Sequence, residues 1–295
     1  MHRSVSLLAI LLTVIATLTG ACASGDDSAV PVATPTVSLS APVAAIGGPI
    51  EMAYRFVIAP TAPVLSDDYW VFVHFLDTDG ELMWTDDHQP ATPMSQWTPG
   101  STIEYQRTIF IPKFPYVGET RIEIGVFSRT TGERLPMVGD TPGERSFKAA
   151  SFEMTLRSDN LFVVFRDGWH GAEAAGVGLG VEWQWSRKDA TLTFANPKRD
   201  VRLYLSVDQP AAAFAEPQRV DLRVGPAVVD SFMLAAGQSD MRRVQVPAGL
   251  LGTAEVVEIA ISVDKTFVPA LLPALGSTDS RELGIRVFRA FVQPL

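Results

Sequence analysis

Residues 167–186 read DGWHGAEAAGVGLGVEWQWS and gather Trp169, His170, Glu173, Glu182, Trp183 and Trp185 in one short stretch. The chemistry such a set suits best is sugar recognition. Trp183 and Trp185 are two apart, so on a strand they share a face. On an outer face they form a flat apolar surface for a sugar ring, with His170, Glu173 or Gln184 bonding its hydroxyls. On an inner face they are core, the commoner place for tryptophans in a sandwich and the reading preferred for these two. Trp169 precedes the glycines and is expected to be the more exposed. Gly176, Gly178 and Gly180 follow with single-residue gaps, and a strand rather than a helix comes next. A phosphate cradle needs a helix N-terminus after its glycines, so that chemistry falls away. The candidate ligand-binding residues are therefore Trp169, His170, Glu173, Trp183 and Trp185.

Other constellations are weaker. Residues 77–81, DTDGE, have calcium-type oxygens, but an EF-hand needs a glutamate at its twelfth position, where this chain has His88. A hairpin with Asp79-Gly80 at its tip is expected instead. Asp86-Asp87-His88 are metal-type donors in a row, yet only Asp86 and His88 can share a side. His74, inside an apolar run, is expected to be a buried, hydrogen-bonded histidine. No Gly-x-Ser-x-Gly occurs, and the single cysteine, Cys22, lies near the N-terminus. Glu173 and Glu182 could supply a glycosidase carboxylate pair, but nothing in the sequence sets their separation. Asp279, Arg281 and Glu282 are expected to form an arginine–carboxylate clasp that pins the loop after residues 267–269. No catalytic residue, no cofactor and no metal is expected.

These side chains must be positioned by strands. Residues 50–58, IEMAYRFVI, alternate with period two, and residues 69–76, YWVFVHFL, are continuously apolar, as a doubly covered strand would be. Further strand-like runs at 102–111, 120–128 and 147–156 are separated by Asp-Gly, Pro-Gly and Thr-Gly turns. A second series runs from residue 161 to 292, with no convincing amphipathic helix. The expected fold is all-β: two consecutive antiparallel β-sandwiches, immunoglobulin-like over 36–156 and jelly-roll-like over 157–295. RSDN, residues 157–160, is read as the hinge.

The N-terminus has a short basic start, an uncharged apolar run and then Thr19-Gly20-Ala21-Cys22. That is the layout of a secretory signal, and the run is too short to span a membrane comfortably. Leu18-Thr19-Gly20-Ala21-Cys22 resembles the lipobox of bacterial lipoproteins. The resemblance implies a signal peptide over 1–21, lipidation of Cys22, and a chain exported and lipid-anchored to the cell envelope, on the periplasmic or outer face of a bacterial membrane. Residues 22–35 read as a proline-stiffened tether. One cysteine excludes an intramolecular disulfide. A net charge of -9 argues against nucleic acid as a partner.

Two further resemblances concern the folded part. VFVHFLDTDGELMWTDDHQP (71–90) with GETRIEIGVFSRTTGERLP (118–136) is similar to β-sandwich modules attached to bacterial envelope glycosyltransferases. WHGAE (169–173), WQWS (183–186) and SRELGIRVFRAFV (280–292) resemble galactose-binding jelly rolls. They imply an envelope setting and a link to surface glycans. The expected function is a non-catalytic envelope lipoprotein that binds carbohydrate through its second sandwich. The alternatives are an assembly protein that binds another envelope protein and, more distantly, a glycan-active hydrolase.

Overall fold

The computed structural model describes residues 30–139, 141–156, 159, 161–175, 181–210 and 213–295. Cys22, the apolar N-terminal run, most of the RSDN segment and Gly176, Gly178 and Gly180 lie outside the described residues.

The first half contains β1 (Ala33–Leu39), β2 (Val43–Ala45), β3 (Pro49–Ile58), β4 (Tyr69–Leu76), β5 (Leu82–Thr85), β6 (Thr102–Phe110), β7 (Gly118–Ser128) and β8 (Phe147–Thr155). One sheet has the order β1-β3-β6 and its partner β2-β8-β7-β4-β5. That is the arrangement of an immunoglobulin-type sandwich. Among the described residues there, only β2 against β8 is parallel. β3 shows why the sequence chooses this shape: Ile50, Met52, Tyr54, Phe56 and Ile58 point inward, each no more than 1% exposed. Glu51, Ala53, Arg55 and Val57 take the other face. Burying each large side chain contributes about 1.5–3 kcal/mol before entropy is charged. β4 is covered on both faces at its centre, as its apolar run requires: Val71 and Val73 join the core. Phe72 lies on the far side under the Arg134 guanidinium. A side chain at Gly125 would collide with Phe72.

The chain enters this sandwich earlier than its composition suggests. Residues 33–35, read as tether, open β1 instead, and Val32 and Ala33 are buried. Pairing with β3 along seven residues outweighs the proline at 35, which sits on an edge strand where a missing donor is tolerated.

The second half contains β9 (Val164–Phe165), β10 (Glu173–Ala175), β11 (Val181–Trp185), β12 (Asp189–Ala195), β13 (Val201–Asp208), β14 (Gln218–Val224), β15 (Ala227–Leu234), β16 (Ser239–Val246), a one-turn α1 (Ala248–Leu251), β17 (Val256–Val263) and β18 (Arg286–Pro294). Its sheets run β10-β11-β18-β13-β16 and β15-β14-β17-β12-β9. Without the short β9 and β10, each sheet keeps four strands that alternate early and late in the chain. That is the double Greek key of a jelly roll. Leu192, Leu203, Leu205, Val220, Ile259 and Ile285 meet in its core at 0% exposure.

The two sandwiches touch through outward faces. Glu51 of β3 accepts hydrogen bonds from Arg202 Nη1 (3.4 Å) and Tyr204 Oη (3.3 Å) of β13. Thr108 Oγ1 accepts from Arg243 Nε. Phe110, at the end of β6, meets Phe291 edge-on (5.5 Å) and Tyr204 edge-on (6.0 Å).

Candidate functional site

The residues singled out from sequence converge at one end of the jelly roll, but they bind each other and their own backbone. Trp169 is half-buried against the core, its ring edge-on to Phe165 at 4.7 Å and its Nε1–H donated to the Thr191 carbonyl at 2.9 Å. It is more exposed than the buried Trp185, as expected, but it packs on the sheet and does not stand free. The close turn at Gly168, where a Cβ would collide with the Asp189 carbonyl, presses the indole onto the sheet edge. His170 is tied by Nε2 to the Glu282 carbonyl at 2.8 Å, and a carbonyl only accepts, so that nitrogen carries the proton. Glu173 accepts from Arg281 Nη2 at 2.8 Å.

Arg281 is also held by both oxygens of Asp279, so the expected clasp exists, with Glu173 as a third member. The Arg281 hydrogen bonds lower the Asp279 pKa below the usual carboxylate range, and the carboxylates raise that of Arg281. Glu282 takes a different role and accepts from Thr266 Oγ1 at 2.5 Å.

Trp183 and Trp185 do share the outward face of β11, but that face is roofed over. Trp185 is 7% exposed and edge-on to Phe267 at 5.6 Å, in a satellite cluster with Ala213 and Leu283. The Arg286 guanidinium carbon stands 5.3 Å from Trp183, 5.4 Å from Trp185 and 4.9 Å from Phe288. Asp208 holds that guanidinium through both oxygens. Trp185 is thus a packing residue, not a sugar platform, because two long loops fold across it. Those loops are fastened by Gln209 and Gln218, which are bonded to each other, with Gln209 donating to the Gly284 carbonyl and Gln218 to the Lys265 carbonyl.

The glycosidase pair is not assembled. Glu173 stands opposite Trp183, and Glu182 opposite Ala174, so the two carboxylates alternate to opposite faces of one ribbon.

In the first sandwich, Asp77 Oδ1 caps the turn by accepting from the Asp79 and Glu81 amides, and Gly80 takes φ +87°. The expected hairpin is there. The buried histidine is His88 and not His74, which is only partly covered and packs on Phe72. His88 Nδ1 donates to the Asp86 carbonyl (2.8 Å), leaving Nε2 to accept from Tyr105 Oη (2.9 Å). Burial first, and the nearby Arg107 second, lower its pKa to about 4. The Asp86 carboxylate is taken by Arg107, which donates to both its oxygens at 3.0 Å. These donors form a structural network rather than a metal centre.

An open cleft lies elsewhere, between the sandwiches. A cleft of about 740 Å³ is bordered by Trp84, Asp86 and Phe110 from the first and by Met241, Phe288 and Arg289 from the second. Trp84 rests one ring face on buried Phe75, at 4.6 Å and 11° between planes. Arg289 lies over Phe110 at 4.1 Å. The cleft thus offers aromatic surface from both sides and one guanidinium. Sequence reading missed it because its walls are far apart in the chain, though the broken alternation in RVFRAFV (286–292) signalled an irregular strand.

No family model and no curated protein matches the chain. Among solved structures, the chain is similar to the N-terminal CBM22 tandem of Paenibacillus barcinonensis Xyn10C, at 10% identity over 88% of this chain and 91% of that one, TM-score 0.26. A second similar structure, from work on promiscuous carbohydrate-binding modules of the β-sandwich superfamily, is 11% identical over 87% of this chain and 97% of that one, TM-score 0.26. A third, the GH115 4-O-methyl-α-glucuronidase BtGH115A, is 13% identical over 50% of this chain; the match spans 19% of that chain, with TM-score 0.32.

Proposed function

We propose that this chain is a non-catalytic carbohydrate-binding protein of the cell envelope, held at a membrane by lipid on Cys22. The cleft between the sandwiches carries the reading. Aromatic faces bind the apolar side of a sugar ring, and a few fixed polar groups choose its orientation. Trp84, Phe110 and Phe288 supply the first and Arg289 the second. Both oxygens of Asp86 are engaged by Arg107, so this carboxylate is not free to serve as acid or nucleophile. Binding across both sandwiches explains the polar and aromatic contacts that hold them together.

A glycan array probed with the chain from Cys22 onward tests this. Capture of at least one envelope-type polysaccharide, weakened by Trp84→Ala, is expected; a folded chain that captures none contradicts it. The anchor has a separate test: fatty-acid labelling that persists in Cys22→Ala removes the lipid. The assembly reading is favoured by Leu156 (74% exposed) and Phe162 (84% exposed), which flank the junction. A crosslinked envelope protein lost on Phe162→Ser would support it.

A further inference from the structure

In β18, Val287 and Ala290 both pack on the jelly-roll core although they are three apart. A strand of unbroken period two cannot do this. The register against β13 slips between Ser206 and Val207: Arg289 faces Ser206, Val287 faces Val207, and Phe288 is the extra residue. This bulge leaves Phe288 and Arg289 consecutive on the outward side, both bordering the cleft. Bulges of this kind re-aim side chains, and here the result is an arginine set among aromatic rings.

Among the described residues, the Arg289 guanidinium meets Phe110 but has no hydrogen-bond acceptor and no carboxylate partner. The atoms packed around its stem lower its pKa from the ordinary arginine value, although the side chain remains exposed. The other charges around the cleft do not answer it. Asp86 is bound by Arg107 through both oxygens. Glu182 also lines the cleft, but among the described residues it makes no ion pair with Arg289. Arg243 is committed to Thr108. An exposed guanidinium without a counter-charge is open to an incoming anion. The planar guanidinium fork matches a carboxylate in bidentate fashion.

Resting on the carbohydrate reading above, the geometry points to a uronic acid residue as the sugar seated in this cleft. Its carboxylate bonds Arg289, and its ring lies against the aromatic faces of Trp84 or Phe288.

Titration calorimetry of the whole chain from Cys22 onward, with oligogalacturonate and oligoglucuronate, tests this against their carboxyl-reduced forms and a neutral oligosaccharide. At least one uronate should bind, and both carboxyl reduction and Arg289→Gln should weaken it roughly tenfold or more, with Arg289→Lys between. The carboxyl-reduction arm uses the unaltered chain, so it does not depend on how a variant folds. Equal binding of acidic and reduced forms, or tighter binding of a glycerol-phosphate polymer, overturns the uronate assignment and leaves carbohydrate binding standing. Absence of binding to any oligosaccharide, acidic or neutral, overturns both.

Discussion

The guanidinium of Arg289 lies 4.1 Å above the ring of Phe110, so one stacked pair joins the last strand of the jelly roll to the sixth strand of the first sandwich. Four more contacts cross the junction: Phe291 and Tyr204 meet Phe110 edge-on, and Glu51 accepts from Arg202 and from Tyr204. Phe110 is thus both the pivot of the junction and a wall of the cleft.

Phe110→Ala should therefore loosen the junction. The ring is only partly buried, so the expected loss is about 2 kcal/mol, less than for a core phenylalanine. Denaturant unfolding measures that loss, and small-angle scattering should show a larger radius of gyration. A variant as compact and stable as the parent would remove Phe110 from the centre of the interface.

Acid should destabilise the first sandwich through His88. Its folded pKa, about 4, lies below the unfolded value, 6.5, so the fold binds the neutral ring. That contribution is complete above the unfolded value and is lost as pH falls from about 6.5 through about 4. It amounts to at most about 3 kcal/mol. Urea midpoints taken across that interval should fall more steeply than in His88→Gln. Equal slopes would mean that the ring titrates freely in the folded state.

How far the sequence could be read is clearest in these strands. Period two in 50–58 and the apolar run 69–76 located β3 and β4 closely, because burial dictates both patterns. β1 and β5 were passed over: one contains a proline, and the other is four residues long and sits beside a turn. The jelly-roll order could be guessed as a class, but not which faces would be covered. Trp183 and Trp185 met the spacing rule for a platform, yet Arg286 and the loop carrying Phe267 close over them. That covering comes from residues about a hundred positions away, which no local spacing encodes. The Gln209–Gln218 pair and the Phe110–Arg289 stack were invisible for the same reason.

Gly284 should tolerate no side chain. A Cβ there would run into the Ser186 hydroxyl and lie 2.5 Å from the Arg187 carbonyl. Gly284→Ala should cost about 1–3 kcal/mol, as overpacking does. Gly171, with nothing within 4 Å of its Cβ position, is the matched control. Gly171→Ala should stay within about 0.5 kcal/mol of the parent. Thermal unfolding of both variants decides it, and equal behaviour would contradict the close approach of these loops.

The arginine clasp at the other end of the jelly roll should be structural. Arg281→Met releases Glu173 and Asp279, so amide exchange across residues 268–281 should accelerate while glycan affinity stays unchanged. Loss of binding with unchanged exchange would return the ligand site to Trp169, His170 and Glu173.

The most direct test of the cleft is the indole N–H spectrum of the six tryptophans during a glycan titration. Trp84, which borders the cleft, should shift in a saturable way, while Trp169 and Trp185 stay fixed under their own packing. Saturable shifts at Trp169 or Trp185 with Trp84 unmoved would contradict the account.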